Sequence, residues 1–162
     1  METIIDSKNE MFRHSIATLA YRTAKTLRNA PENFATFRID AKSRTSVEIL
    51  AHMGDLIDWA YSMAKGKGIW HESVPLDWES EAARFYDSMR QVDTYLASGS
   101  AIACPLEKLF QGPIADALTH VGQLAMLRRI AGAPIIGENY FVADIIAGRV
   151  GSEQSNPRKT FG

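Results

Sequence analysis

The sequence places two histidines and one aspartate where they could share a divalent metal ion. Asp116 and His120 are four residues apart, so on a helix their side chains project from the same face, one turn from each other. His52 lies much earlier in the chain and would have to reach the same point from a facing helix. Three such ligands leave a coordination position open for water or substrate, which is typical of catalytic rather than structural zinc.

The residue types leave both the metal and the role of these side chains open. Nitrogen and oxygen ligands without a thiolate suit zinc, nickel, iron or manganese. A histidine beside the apolar face of a helix is often a half-buried, hydrogen-bonded side chain instead of a ligand. Asp116 and His120 could likewise form a simple pair on a helix surface.

Three further polar residues flank the histidines and are candidates for supporting roles. Gln123, one turn beyond His120, could hold a metal-bound water or a substrate oxygen, or be an exposed helical glutamine. Glu48 and Asp55 precede and follow His52 by about one turn. Either could accept the free ring N–H of His52 and fix its tautomer, and Glu48 could also position a bound nucleophile. Either could instead be solvated.

Arg128 falls on the apolar stripe of the last long helical segment. A buried guanidinium requires a carboxylate or several carbonyl oxygens. We expect it to anchor the end of that helix to Glu138 or Asp144, or else to line the pocket and meet an anionic substrate.

Four long segments must position these side chains, and each has apolar residues at three- and four-residue spacing. Thr45 and Glu48 form a capping-box pattern before the second segment, and Gly112-Pro113 predicts a kink or restart in the fourth. The segments cover about residues 8–29, 45–65, 77–97 and 105–131. The pattern predicts an all-α four-helix bundle, up-down in topology with a longer crossover possible.

A short helix over about residues 139–147 and a polar tail over 151–162 complete the expected organisation. We expect residues 1–150 to form a single domain, since 162 residues leave little room for two. We expect the tail to be poorly ordered unless a partner holds it.

The charge and hydropathy of the chain argue against nucleic-acid binding and membrane binding. The 18 basic and 19 acidic side chains give a net charge of -1, which provides no electrostatic footprint for nucleic acid or for an anionic membrane surface. The one cysteine, Cys104, rules out an intrachain disulfide and suits a reducing compartment. No signal-peptide pattern opens the sequence, and no apolar run approaches the roughly 20 residues of a membrane span. We therefore expect a cytoplasmic protein that acts on a small molecule.

Two stretches resemble a known superfamily. Residues 46–56, SVEILAHMGDL, resemble the second helix of the DinB-like (YfiT-type) four-helix bundles, which typically carries an E-[IL]-[LI]-x-H-[LM] pattern. Residues 116–124, DALTHVGQL, and 127–134, LRRIAGAP, are similar to the last bundle helix, with its H-x-G-Q pattern and its Leu-Arg-Arg run before glycine. The resemblance extends over about residues 8–134 and includes the order of the helices.

The resemblance implies a metal bound by one histidine on the second helix and two on the last, four residues apart. His52 and His120 match the first and third of these, and Asp116 stands at the remaining position. Either Asp116 substitutes as an oxygen ligand, or the site has weakened. The family's chemistry implies that the metal activates a water or a small thiol for hydrolysis or transfer.

Two other expectations concern partners. The resemblance implies a homodimer, and Trp59, Trp70, Trp78 and Tyr140, which lie outside the apolar stripes, could form an exposed patch between subunits. The alternative to an enzyme is a non-catalytic bundle that binds a ligand or a partner subunit and keeps only a weakened metal site.

Overall fold

Four long helices make up most of the chain in the computed structural model, which describes residues 6–162. They are α1 (Ser7–Leu27), α2 (Ser46–Ala64), α3 (Trp78–Ala97) and a fourth that consists of α4 (Leu106–Leu109), a π turn (Phe110–Ile114) and α5 (Ala115–Ile130). Two short strands, β1 (Gly137–Glu138) and β2 (Thr160–Phe161), pair antiparallel. The predicted all-α four-helix bundle is confirmed. Within residues 6–162, no helix has the length and apolar character needed to cross a bilayer.

Side chains that accept hydrogen bonds from free backbone amides begin the first three helices. Asp6 caps α1, and Asp77 caps α3. At α2 the predicted capping box is present. The backbone N–H of Glu48 donates to the Thr45 hydroxyl, and the backbone N–H of Thr45 donates to the Glu48 carboxylate at 2.6 Å.

The order of helices around the bundle decides which faces meet. α1 packs against α3 and α5, and α2 also packs against α3 and α5, so α1 and α2 occupy opposite corners. The link between them, residues 28–45, therefore crosses one end of the bundle, and its residue Phe34 is buried in the core. This is the longer crossover that the sequence left possible. It places α2 directly beside α5.

The core consists of side chains from the predicted stripes. Fully buried examples are Ile16 and Leu19 from α1, Leu50, Met53 and Ile57 from α2, Phe85 and Met89 from α3, and Ala117 and Leu124 from α5. Met11, near the start of α1, is 65% exposed, so the apolar stripe of α1 begins at Phe12.

A π turn interrupts the fourth helix where the sequence predicts a kink. Pro113 lies inside this turn, and because proline has no backbone N–H it cannot complete the regular α-helical ladder. The helix widens for one turn instead. α5 begins directly afterwards, and Asp116 is its second residue. The π turn therefore sets how α5 is rotated about its own axis, immediately before the candidate ligand Asp116.

The prediction of a helix over residues 139–147 is wrong. Only a 3₁₀ turn, Tyr140–Val142, forms there. Immediately before it, the buried Glu138 carboxylate accepts hydrogen bonds from Tyr21 at 2.8 Å and from Lys25 at 2.6 Å. This anchor and the strand pair keep the backbone extended. Phe141 is 96% exposed, so the apolar residues of the segment do not form a stripe facing the core.

The tail over residues 151–162 packs back onto the rest of the chain, contrary to the expectation of poor order. β2 is its last element, and the backbone N–H of Asn139 donates to the carbonyl of Lys159 at 2.9 Å. The hydroxyl of Ser155 donates to the Asp144 carboxylate at 2.8 Å. Backbone pairing and side-chain contacts thus hold the tail without a partner chain.

Arg128 is buried as its place on the stripe implies, but neither expected carboxylate is its partner. Its guanidinium donates to four carbonyl oxygens, those of Thr26, Arg28, Asn29 and Ala133, at 2.7–3.3 Å. Three of these carbonyls lie at the end of α1, where the helix dipole places partial negative charge. Arg128 therefore joins the end of α1 to the end of α5, while Glu138 is engaged by Tyr21 and Lys25.

We predict that Arg128→Met lowers the free energy of unfolding by about 2–3 kcal/mol, because buried carbonyl oxygens lose their donor. Urea denaturation measures the change. Arg129→Met is the matched control, since Arg129 is exposed on the same helix, and it should change stability by less than about 0.5 kcal/mol. Equal losses of unfolding free energy in the two variants would show that the hydrogen bonds from Arg128 to the carbonyls do not stabilise the fold.

Candidate metal centre

His52, Asp116 and His120 come together where α2 packs against α5. Oδ2 of Asp116 lies 3.7 Å from Nε2 of His52, and Oδ1 of Asp116 lies 3.4 Å from Nε2 of His120. One ligand atom from each residue lies within 4.8 Å of the others. These distances are too long for hydrogen bonds. They approach the roughly 3.4 Å that separates ligand atoms held about 2.1 Å from a tetrahedral cation, so the group could hold a metal ion.

The three side chains differ in their access to solvent. The side chains of His120 and His52 are 9% and 17% exposed, whereas that of Asp116 is 48% exposed. The two imidazoles pack edge to face, with ring centroids 4.8 Å apart. The centre is therefore closed on the imidazole side and open on the carboxylate side, where an external ligand could enter.

Gln123 holds the ring of His120. Its Oε1 lies 2.7 Å from Nδ1 of His120, so Nδ1 carries the proton and donates to it. Nε2 then keeps its lone pair and faces Asp116. A hydrogen bond of this kind fixes the tautomer and orientation of a ligating histidine. The sequence left two roles open for Gln123, a contact with bound water or substrate and an exposed helical side chain; the structure shows an exposed glutamine whose amide oxygen contacts the His120 ring.

Neither Glu48 nor Asp55 contacts the His52 ring by a hydrogen bond among the described residues. The Glu48 carboxylate closes the capping box, and the hydrogen bond from the Thr45 amide lowers its pKa. Asp55 is only 1% exposed and accepts from Ser73 and Arg84. Glu48 thus belongs to the helix cap, and Asp55 is neither solvated nor a partner of His52.

The environment of His52 favours its neutral form. Burial lowers the pKa of the ring, and the positive charge of Arg44 and the neighbouring His120 lower it further, while Asp116 and Asp55 oppose the shift. A metal binds the neutral imidazole, not the protonated one. The surroundings therefore keep His52 in the form that a metal ligand requires.

An aromatic wall beside His52 is a feature that sequence reasoning missed. The ring of Trp70 packs edge to face on His52 with centroids 5.9 Å apart, and on Trp59 at 5.8 Å. Trp70 lies in the loop between α2 and α3, and no helical spacing connects it to the histidines. The only signal in the sequence was its place next to His71 in a loop at a bundle end.

A second cluster of potential ligands, Asp55, Asp58 and His71, lies close by. Nε2 of His71 is 3.1 Å from Oδ2 of Asp58, and its Nδ1 is 3.3 Å from Oδ1 of Asp55. The carboxylates of this cluster already have a cationic partner: Nη1 of Arg84 lies 3.0 Å from Asp55 and 3.3 Å from Asp58. We interpret this cluster as the ion-pair network that fastens the Trp70 loop to α2.

Gly54 makes room for that network. A Cβ atom at this position would lie 2.8 Å from Cζ of Arg84, closer than side chains tolerate. The guanidinium lies flat against α2, where it also donates to the carbonyl of Ala51 at 2.7 Å. The contacts with Glu81 and Asp55 raise the pKa of Arg84 despite its burial, so the arginine remains charged.

The four aromatic residues expected to share a subunit patch lie in three separate places. Trp59 and Trp70 pack together beside the metal centre. Trp78 packs on Phe34 with centroids 5.3 Å apart, and Tyr140 on Tyr21 at 6.2 Å. They therefore do not form one common surface.

Comparisons of the chain with protein-family models, curated proteins and solved structures gave no match.

The lowered pKa of His52 predicts a pH-dependent contribution to stability in the metal-free protein. The unfolded ring takes up a proton near its ordinary pKa of about 6.5, whereas the folded ring resists it until lower pH. Stability is therefore lost as the pH falls from 6.5 toward the folded pKa, and the contribution is constant outside that window.

Urea denaturation from pH 8 to pH 5, with chelator present, measures how steeply the free energy of unfolding changes with pH. His52→Gln should lose stability less steeply with acidification than the wild type. His14→Gln, which removes an exposed histidine on α1, is the matched control and should keep the wild-type slope. Identical slopes in the wild type and His52→Gln would contradict the prediction.

Proposed function

We propose that this chain binds a divalent metal ion through His52, Asp116 and His120 and uses it as a hydrolase or as a transferase of a small thiol. The observation that carries the proposal is the spacing of the three ligand atoms, which are too far apart to hydrogen-bond and suitably placed to share a cation. The resemblance of residues 8–134 to the DinB-like superfamily supports the same ligands, with Asp116 replacing a histidine.

A divalent ion held there would lower the pKa of a water or thiol bound to it and so supply a nucleophile at neutral pH. The chain contributes two imidazoles and one carboxylate, and the carboxylate offsets part of the positive charge of the ion. Gln123 fixes the ring of His120, and Trp70 covers one side of His52. The exposed side at Asp116 leaves the centre accessible to water or an external ligand. Glu48 has no part in this proposal, because its carboxylate caps α2.

The second candidate is a non-catalytic bundle with a weakened metal site, which binds a ligand or a partner subunit. The exposure of Asp116 favours it, because a solvated carboxylate on a surface side chain holds an ion less firmly than a buried histidine does. A homodimer is compatible with either candidate and stays a prediction.

We predict that the wild-type protein binds about one divalent ion per chain and that His120→Ala abolishes this binding. His71→Ala, which changes the neighbouring Arg84 network, is the control and should bind as the wild type does. Because a ligand that binds only the folded state stabilises it, saturating metal should raise the melting temperature by about 5–10 °C. Metal analysis after dialysis against zinc, nickel or manganese, and melting curves with and without chelator, measure both effects.

The outcomes of this experiment separate the two candidates. Equal melting temperatures with and without chelator in the wild type and in His120→Ala would favour the non-catalytic bundle. Undiminished metal binding in His120→Ala, with loss in His71→Ala, would place the ion at the second cluster and contradict the proposal.

The hydrogen bond from His120 to Gln123 generates a separate prediction. Gln123→Leu removes the acceptor that orients the ring, and we expect metal affinity to fall by about tenfold. Gln123→Glu keeps an acceptor oxygen at the same place and should retain the wild-type affinity or exceed it. Titration with a competing chromogenic chelator measures all three constants. Equal affinities in the leucine and glutamate variants would show that Gln123 does not orient His120.

A further inference from the structure

A groove beside the metal centre runs along one side of α5. Its volume is about 470 Å³, within the range of sites for small molecules. His120 and Gln123 lie in its wall at one end, and Ile130 lies in its wall further along the helix. Since a helix rises about 1.5 Å per residue, this lining extends along about 15 Å. The groove therefore leads directly from a candidate metal ligand.

Most of the lining is aliphatic. The apolar side chains in the wall are Ile39, Ile49, Met126, Leu127 and Ile130. Three of them, Ile39, Met126 and Ile130, are more than half exposed at 60%, 52% and 55%. Exposed apolar side chains that line one groove gain free energy when an apolar ligand covers them. The wall contains no acidic side chain.

Arg44 is the one charged residue in the wall. Among residues 6–162, no carboxylate oxygen lies within salt-bridge distance of its guanidinium, although its charge contributes to the lowered pKa values of Glu48 and His52. Ser43 adds a hydroxyl beside it. An apolar groove with an unpaired guanidinium is complementary to a ligand that has an apolar body and one negative charge.

We propose that this groove binds a small amphipathic monoanion, a carboxylate with an apolar chain, whose charged group pairs with Arg44 and whose chain covers the exposed apolar side chains of the wall. The inference rests on the proposed function for any substrate role of this ligand, because the candidate metal ligand His120 is part of the same wall. Binding itself requires only the groove and Arg44. The ligand class is thus an organic acid with one carboxylate and an apolar chain.

Octanoate is the probe, and calorimetric titration at pH 8 in the presence of chelator is the measurement. Without metal, the carboxylate cannot bind the candidate centre directly. We expect one octanoate per chain. Butyrate, which lacks four methylenes, should bind at least tenfold more weakly, and octanol, which lacks the charge, at least fivefold more weakly.

Two variants and a matched control test the contacts. Arg44→Gln should weaken octanoate binding at least fivefold and leave octanol binding unchanged. Met126→Glu, a change on a half-exposed side chain, should also weaken octanoate binding by placing a negative charge in the groove. Arg129→Gln removes an equal charge from the exposed face of α5 outside the groove wall and should bind octanoate as the wild type does.

The inference is overturned if octanoate does not bind the wild type, or if Arg44→Gln binds it undiminished. Binding that occurs only with metal present and is insensitive to Arg44→Gln would also overturn it, because the carboxylate would then be a metal ligand. Arg44-dependent binding in a protein that takes up no metal would support the groove and contradict the proposed function. Metal uptake without octanoate binding would support the proposed function and contradict the groove as a ligand site.

Discussion

Two imidazoles held beside one carboxylate, without hydrogen bonds between them, are the arrangement on which the candidate site depends. Burial keeps the pKa of His52 low, and the hydrogen bond from His120 to Gln123 directs the free nitrogen of His120 toward Asp116. The burial of His52 requires α2 and α5 to lie side by side, whereas the hydrogen bond of His120 forms within α5. The contact of α2 with α5 follows from the crossover at the bundle end, which places α1 and α2 at opposite corners.

The polar network behind the site stabilises its aromatic wall. Arg84, half-buried against α2, pairs with Asp55 and Asp58, and these carboxylates in turn hold the loop that carries Trp70. A charged group in such a place is tolerated because it has several partners, and the loss of one partner would leave the others buried and unpaired. The candidate metal centre and this network are therefore neighbours that differ in one respect: the carboxylates of the network already pair with Arg84.

The sequence predicted the parts of the fold that depend on local patterns. The capping box of Thr45 and Glu48, the apolar stripes and the disruption at Pro113 all act within one or two helical turns, and each is present. The helix predicted over residues 139–147 does not form, because two long-range contacts keep that segment extended. These are the contact of the buried Glu138 and the strand pair with the distant tail. Three of the four carbonyl partners of Arg128 and the Arg84 partner of Asp55 lie far away in the chain, so spacing along one helix could not predict them.

By itself the sequence determined the four helices and the common face of Asp116 and His120, since a helix fixes the direction of side chains four residues apart. It also made His52 a candidate through its resemblance to a known pattern. Only the tertiary structure decided that His52 meets those two residues, that Trp70 and Arg44 lie beside them, and that Glu48 serves the helix cap. The reason is that helix packing sets distances between residues far apart in the chain, and no pattern within a single helix records them.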